Sequence, residues 1–140
     1  MHAEFSEAHT ITMDVDGASD EISRGDAVAL TGDRTVKATD TDGEEWHGLA
    51  TDEAQEKPDG SLYVGVMMKG ARNGAVAPNY DANGDGNVGT EVEAPAILVP
   101  NDNVGELRPL RDGESANHGI DGLLLAAPND AERQGLVFLR

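Results

Sequence analysis

Between Ile22 and Val76 the chain repeats one arrangement, a short apolar segment followed by a turn that contains glycine or aspartate. Turn signals that recur about every 8–12 residues are typical of β-sandwiches and β-barrels. The segments between the turns are rich in small and β-branched side chains: Ala27–Leu30, Thr35–Ala38, Trp46–Ala50 and Leu62–Met67. We therefore predict an all-β fold, a small β-barrel or sandwich, for this chain of 140 residues.

The segments outside this region continue the same pattern. Thr10–Val15 alternates polar and apolar residues, which predicts a first strand. Further strands are predicted at Gly74–Ala77, Ala96–Val99, Gly122–Ala126 and Gly135–Arg140. Pro100 and Pro109 restrict the segment between them to an edge strand or a loop, because proline cannot donate to a β-ladder. A single helical turn is predicted at residues 53–56, and a turn or a single helical turn at residues 128–133.

One segment departs from this composition. Residues 78–95 consist mainly of Asn, Asp, Gly and Glu, so we predict a long polar loop excursion that adds little to a core. The chain length suits one domain. We divide the chain into an N-terminal arm with the first strand at 1–21 and a β-barrel domain at 22–140, which carries the insertion 78–95.

The charge balance is strongly acidic, with 27 Asp and Glu against 10 Lys and Arg and a formal net charge of −17. Such a charge keeps a chain soluble but destabilises its compact state by self-repulsion. Concentrated salt screens that repulsion within a few ångströms. Together with only three lysines, this composition indicates a halophilic protein, and an ordinary acidic protein is the alternative. Direct binding to nucleic acid is not expected, because a basic face is needed to neutralise phosphates.

Several other classes of protein are disfavoured by composition. The chain has no cysteine, which excludes disulfides, thiolate nucleophiles and cysteine-based zinc sites. The first residues lack a basic region followed by an apolar run, so no signal peptide is predicted. The apolar run Leu123–Pro128 is too short to span a bilayer. We therefore expect synthesis and folding in the cytosol, with no membrane partner.

A candidate cation site lies in the excursion. The oxygen-bearing side chains at alternate positions, followed by glycine, resemble a calcium-binding loop and comprise Asp81, Asn83, Asp85 and Asn87. The full pattern requires a bidentate glutamate at the twelfth position, where this chain has Val92 between Glu91 and Glu93. We predict Ca²⁺ or another hard cation at these four residues, with a solvated Asn-Asp-Gly turn as the alternative.

No catalytic motif is recognised in the sequence, and we predict that the chain is not an enzyme. It has neither a Gly-x-Ser-x-Gly nucleophile elbow nor a phosphate loop. The four histidines form no obvious metal cluster and stand at His2, His9, His47 and His118. Arg24-Gly25-Asp26 matches an adhesion tripeptide, but we interpret it as a turn in which Gly25 supplies a flexible backbone and Asp26 bonds locally.

The aromatic residues are too few for a base-stacking platform. We assign Trp46 and Phe138 to the core, and His47 to a partly buried position on a strand. Tyr80, in the excursion, is the aromatic residue that best suits an interface.

The order and spacing of the segments between Ile22 and Val76 resemble the β-barrel group of capsid decoration (head cement) proteins of tailed viruses. The matching segments are Gly25-Asp26-x-Val28, Thr35-Val36-Lys37-Ala38, Gly48-Leu49-Ala50, Gly60-x-x-x-Val64-x-Val66, Gly70 and Ala75-Val76. The resemblance covers about the middle 40% of the chain. The excursion 78–95 and the C-terminal third depart from a minimal member of this family.

The resemblance implies a structural virion protein without catalytic activity. It implies binding to the outside of a capsid, with the major capsid protein as partner and a homotrimer as the bound unit. The acidic composition would then indicate a haloarchaeal virus or provirus, with assembly in the host cytoplasm. The alternatives are a calcium-dependent binding or adhesion module, another virion surface part such as a spike or turret base, and an enzyme with an unrecognised acidic site.

Overall fold

The computed structural model describes residues 9–19, 21–115 and 119–140. Throughout these ranges the regular structure consists of β-strands, with no helix. The strands are β1 His9–Val15, β2 Ala27–Gly32, β3 Thr35–Ala38, β4 Gly48–Ala50, β5 Gln55–Glu56, β6 Leu62–Ala75, β7 Asn79–Tyr80, β8 Thr90–Glu91, β9 Ala96–Pro100, β10 Leu107–Pro109, β11 Gly122–Ala126 and β12 Gln134–Leu139. The predicted all-β class is confirmed.

Five strands close into a barrel in the order β1-β3-β2-β4-β6, and β6 pairs back onto β1. The β1–β3 pair is parallel, with Asp14 opposite Thr35, and the other pairs around the barrel are antiparallel. Closure removes the free edges that an open sheet would expose. The prediction of a small β-barrel is therefore confirmed.

β6 connects the barrel to a second region. Its 14 residues run past the barrel, and its second half pairs with β12 from Gly70 opposite Leu139 to Ala75 opposite Gln134. The sheet then continues through β11 and β9 to β10 at the edge. β7 and β8 form a separate two-stranded ribbon at the base of the excursion. We call the part built on β9–β12 and this ribbon the outer lobe.

Two apolar clusters fill the interior. The barrel cluster consists of small and medium side chains: Met13, Ile22, Val28, Val36, Ala38, Ala50, Val64 and Val66. The outer-lobe cluster holds larger ones: Ala27, Trp46, Leu49, Met67, Val76, Val92, Leu98, Leu107, Leu124, Val137 and Leu139. Strand alternation divides neighbours between the clusters, because successive side chains point to opposite faces of a strand. In β4, for example, Leu49 belongs to the outer-lobe cluster and Ala50 to the barrel cluster.

Gly48 shows why one of the family-like segments needs its glycine. A Cβ atom at this position would lie 2.6 Å from Cγ1 of Val66 and 2.7 Å from the carbonyl oxygen of Met67. Non-bonded carbon atoms normally stay about 3.5–4.0 Å apart. The absence of a side chain at Gly48 therefore lets β4 lie against β6.

Two predictions about the elements need correction. Residues 53–56 form no helical turn, because Gln55 and Glu56 pair with β6 as β5. At residues 128–133 the structure has a turn, the first of the two predicted forms. The predicted closing strand Gly74–Ala77 is the end of β6, which ends at Ala75.

Two further predictions concern how segments join the fold. β1, which the sequence division grouped with the arm, pairs with β6 and β3 inside the barrel. The segment between Pro100 and Pro109 does supply the edge strand β10, as predicted. The arm's residues His2 and Phe5, and also His118, lie outside the described residues.

Candidate functional site

A cleft of about 600 Å³ lies between the excursion and the barrel end of the outer lobe. One wall is the base of the excursion, including Tyr80 and Val88, and the opposite wall is the segment 101–111. Three arginines contribute to its lining: Arg108, Arg111 and Arg133. In a chain with seven arginines and a net charge of −17, the cleft concentrates the scarce positive charge.

Arg108 lies at the centre of this charge network, and its side chain is 2% exposed. Its guanidinium donates to both carboxylate oxygens of Asp42, at 2.9 and 3.2 Å, and to both of Glu114, at 2.7 and 3.0 Å. A further bond reaches the carbonyl oxygen of Pro109 at 3.0 Å. Burial would lower the pKa of Arg108, but the two carboxylates outweigh it and raise that pKa. The buried cation is therefore permanently charged and fully hydrogen-bonded.

Arg111 extends this network to the excursion. Its Nη1 donates to Asp42 at 2.8 Å, and its Nε donates to the carbonyl oxygen of Asp81 at 3.0 Å. Burial would raise the pKa of Asp42, but the hydrogen bonds from Arg108 and Arg111 hold it below its ordinary value. Asp42, in the loop before β4, is thus the carboxylate through which the barrel is linked to the outer lobe.

A second ion pair forms the far wall. The carboxylate of Glu106, a buried residue, accepts from Nε and Nη2 of Arg133 at 2.8–3.0 Å, a bidentate arrangement. It also accepts from the side-chain amides of Asn101 at 2.8 Å and Asn103 at 2.9 Å. These bonds tie the turn 101–106 to the hairpin between β11 and β12, so both walls of the cleft are fixed by charge-assisted hydrogen bonds.

The excursion is organised around the buried carboxylate of Asp81. It accepts backbone N–H bonds from Gly84 at 2.8 Å, Asp85 at 3.2 Å and Gly86 at 2.8 Å. Burial would raise the pKa of Asp81, but these backbone bonds outweigh it, and with the charge of Arg111 they lower that pKa. The loop therefore has a defined conformation that depends on an ionised aspartate.

The same loop contains the four residues of the predicted cation site. The side-chain oxygen of Asn83 accepts from the amide of Asp85 at 3.2 Å, and that of Asp85 accepts from the amide of Asn87 at 2.8 Å. Together with Asp81, these residues form successive turns in which the side-chain oxygens bind backbone amides. No group of three or more His, Asp or Glu side chains in the described ranges could hold a metal ion. Calcium binding here stays a prediction.

Val92, at the twelfth position of that motif, belongs to the outer-lobe cluster and is 2% exposed. A core valine cannot supply the bidentate oxygen ligands of the full calcium loop. It also shows that the excursion is not wholly polar, since its last turn returns to the core. The prediction that residues 78–95 add little to the core is therefore wrong at this position.

The structure also locates the predicted aromatic and histidine positions. Trp46 is fully buried in the outer-lobe cluster, as predicted. The prediction of a core position for Phe138 is wrong, because it is half-buried on the opposite face of β12 from Val137 and Leu139. His47 is half-buried just before β4, and its Nδ1 accepts from the amide of Leu30 at 3.0 Å. Tyr80 packs against the outer-lobe cluster while lining the cleft.

The Arg24-Gly25-Asp26 segment forms the predicted turn. Gly25 has a φ of 88°, a conformation that favours glycine, and the carboxylate of Asp26 accepts from the amide of Ser23 at 2.8 Å. Burial raises the pKa of Asp26, although the bond from Ser23 opposes that shift. Arg24 pairs with Asp52 at 3.1 Å on the surface.

Sequence reasoning missed the cleft network. Its arginines and carboxylates come from segments up to 69 residues apart, as in the Arg111–Asp42 pair. The one signal available was that four of the seven arginines lie in the C-terminal third: Arg108, Arg111, Arg133 and Arg140. Such clustering indicates that positive charge is concentrated in one part of the fold, but it does not identify the carboxylates that pair with it.

Comparison with known proteins adds no identification: no family model matches the chain, and no curated protein matches it. The described residues include no helix long and apolar enough to cross a membrane.

Proposed function

We propose that this chain is a structural virion protein that binds the outside of a capsid shell and stabilises it by bridging major capsid subunits. One observation carries the proposal. The segments that resemble capsid decoration proteins fall on β2, β3, β4 and β6, which are four of the five strands of the closed barrel. The resemblance thus follows a folded unit rather than scattered residues.

The physical features of the outer lobe suit a docking role. Binding residues commonly lie on loops that a rigid scaffold holds in place. Here the excursion is fixed at its base by Arg111 and internally by Asp81, so its exposed tip, residues 83–90, projects from a defined base. Weak contacts repeated on a symmetric shell add through effective concentration. The resemblance predicts a homotrimer as the bound unit, and the acidic composition predicts a halophilic virus or provirus.

The test is co-sedimentation of the purified chain with shells of the major capsid protein from the same virus, in concentrated salt. We expect saturable binding at a fixed ratio to capsid subunits. Absence of binding by the intact, folded chain would refute the proposal.

A loop variant tests which part makes the contact. Replacing residues 82–88 with Asn-Gly retains the pairing of Tyr80 with Thr90 and leaves Val92 in the core, because a two-residue turn suits a hairpin. We expect reduced shell occupancy with the barrel still folded. The control is Asp59→Asn, which creates an Asn-Gly turn elsewhere, between β5 and β6 of the barrel. This variant should bind like the unmodified chain.

The calcium-dependent binding module remains the alternative function. The alternate oxygen side chains of the excursion favour it, whereas Val92 at the twelfth position disfavours it. Thermal unfolding with CaCl₂ and with a chelator separates the two functions. A melting temperature that is the same under both conditions would rule out the calcium-dependent module and leave the capsid proposal standing.

A further inference from the structure

The outer lobe carries an apolar surface that no part of the described chain covers. In β12, Val137 and Leu139 point into the core, so strand alternation directs Leu136 and Phe138 outward. Phe138 is opposite Leu123 of β11, which in turn is opposite Ile97 of β9. The register shift at Leu124/Ala126 adds Leu125 to the same side. We call this surface, formed by Ile97, Leu123, Leu125, Leu136 and Phe138, the outer face.

The outer face is partly exposed to solvent, and the strands that form it lack acidic residues. Ile97 is 41% exposed and Leu125 is 46% exposed. None of the strands β6, β9, β11 and β12 contains an Asp or Glu, although the chain carries 27 of them. A contiguous apolar surface on a soluble domain commonly marks an interaction site. Between copies of so acidic a chain, contact through these strands brings no strand carboxylates together.

The two ends of the outer face carry opposite charges. At one end, alternation places Lys69 and Arg140 on the outward side, and Lys69 makes no ion pair with any described residue. Arg140 is only 3.9 Å from Asp121, a weak contact. At the other end, the exposed residues Asp130 and Glu132 lie in the hairpin that leads into β12.

This arrangement of charges is complementary to the same surface on a second copy of the chain. A two-fold axis that lies in the interface plane and perpendicular to β12 reverses the direction of this strand, so the basic end of one copy lies over the acidic end of the other. Such an isologous contact is self-complementary because each residue pair occurs twice. We propose that two copies associate face to face through the outer face, with Lys69 and Arg140 opposite Asp130 and Glu132 of the second copy.

The size of the outer face sets the expected strength. Four strands about 4.8 Å apart, each contributing five or six residues at about 3.3 Å, give an area of roughly 300–400 Å². A standard interface buries about 800 Å² per partner, so this contact belongs to the weak class unless flanking loops add area. Self-repulsion weakens it further at low salt. We therefore expect a dimer that forms at high protein concentration and strengthens as salt increases.

The proposal does not depend on a capsid role, and it differs from the homotrimer that the family resemblance predicts. Sedimentation equilibrium of the full chain, at protein concentrations up to about 1 mM and salt from about 0.2 to 3 M, measures the mass directly. We expect a shift from monomer to dimer as salt increases. A monomer under all conditions, or a trimer, would overturn the proposal.

A matched pair of variants locates the contact. Leu125→Asp places a charge in the outer face and should weaken association at least about tenfold. Val104→Asp alters a residue of similar exposure, 43%, away from the outer face and should leave the dimer intact. Circular dichroism checks that both variants fold. Equal association of the two variants would contradict the assignment of the face.

A charge exchange tests the two-fold geometry. Lys69→Glu alone and Glu132→Lys alone should each weaken the dimer, because each places like charges opposite one another. The double variant should recover most of the lost association at moderate salt, since the pair is restored with reversed signs. Additive weakening in the double variant would overturn the proposed orientation.

Discussion

The barrel and the outer lobe share β6 but are stabilised in different ways. The barrel cluster is apolar, and the Arg24–Asp52 ion pair of the barrel lies on the surface. The outer lobe combines the larger apolar cluster with most of the buried polar residues in the described chain: Asp81, Asn101, Glu106 and Arg108. Two regions joined by one strand are thus stabilised differently: the barrel by apolar packing, and the outer lobe by apolar packing together with buried ion pairs.

This difference predicts which conditions affect each region. Apolar packing responds little to pH, whereas buried ion pairs lose their energy when a carboxylate is protonated. Removing one partner from a buried pair costs more than removing a surface pair, because it leaves an uncompensated charge. The substitutions below test the comparison in order of expected effect.

The largest effect is expected from Trp46→Ala, which removes the largest fully buried side chain of the outer-lobe cluster. Replacing a buried tryptophan by alanine costs about 3–5 kcal/mol of unfolding free energy, since transfer energy is lost and a cavity remains. Urea denaturation followed by circular dichroism measures it.

Val64→Ala in the barrel cluster is the corresponding control and should cost less, because fewer atoms are removed. A larger loss for Val64→Ala would show that the barrel, not the outer lobe, limits stability.

Arg108→Met should be next, at about 2–4 kcal/mol. The change keeps much of the side-chain volume but leaves Asp42 and Glu114 without their central cation. Breaking a fully buried pair costs about 3–5 kcal/mol, and the partial exposure of both carboxylates reduces that cost. Denaturant unfolding gives the value.

The triple variant that combines Arg108→Met with Asp42→Asn and Glu114→Gln tests the cause, because it also removes the two carboxylates that lose Arg108 as a partner. It should be more stable than Arg108→Met alone. A triple variant that is less stable would show that shape, rather than charge, dominates at Arg108.

Asp42 and Asp26 should respond to acid in opposite directions. The pKa of Asp42 is below its ordinary value of 3.8, so its stabilisation is present above that value and is lost as pH falls through the lowered pKa. The pKa of Asp26 is raised above 3.8, so its contribution is full below the ordinary value and is lost as pH rises through the raised pKa. Urea midpoints measured from neutral pH to below pH 3 should show both effects.

Single variants separate the two contributions. Asp26→Asn should reduce the gain in stability on mild acidification, and Asp42→Asn should reduce the loss at stronger acid. Parallel profiles for both variants and the unmodified chain would mean that neither carboxylate controls the pH dependence.

The smallest effect is expected from Arg24→Ala. Its pair with Asp52 is exposed at both ends, with side-chain exposures of 67% and 58%. Exposed pairs typically contribute about 0.2–1 kcal/mol and weaken with salt. If Arg24→Ala cost as much unfolding free energy as Arg108→Met, the expected difference between the exposed pair of the barrel and the buried pairs of the outer lobe would be contradicted.

Many strands of both regions could be predicted from local pattern. β3 and β11 were predicted with their observed bounds, because turns and β-branched residues mark short strands clearly. The length of β6 was underestimated, since Leu62–Met67 and Gly74–Ala77 were predicted as separate strands, whereas β6 is continuous from Leu62 to Ala75. Phe138 was assigned to the wrong face, because the apolar residues of β12 lie on both sides and alternation alone cannot identify the core side.

The candidate site was less predictable. The turn at Gly25 and the Asx turns of the excursion are local, so the sequence indicated them. The partners of Arg108 are not local: Asp42 lies 66 positions away. Among 27 acidic residues, nothing in the sequence distinguishes the one that meets a buried arginine.

The amino-acid sequence by itself determined the all-β class, the turn positions and the acidic surface, because these follow from backbone preferences and composition over a few residues. Only the tertiary structure decided which face of each strand is covered, which carboxylates meet the three cleft arginines and which apolar side chains remain outside. Those outcomes depend on contacts between distant segments, and their energies arise only when strand closure brings the segments together.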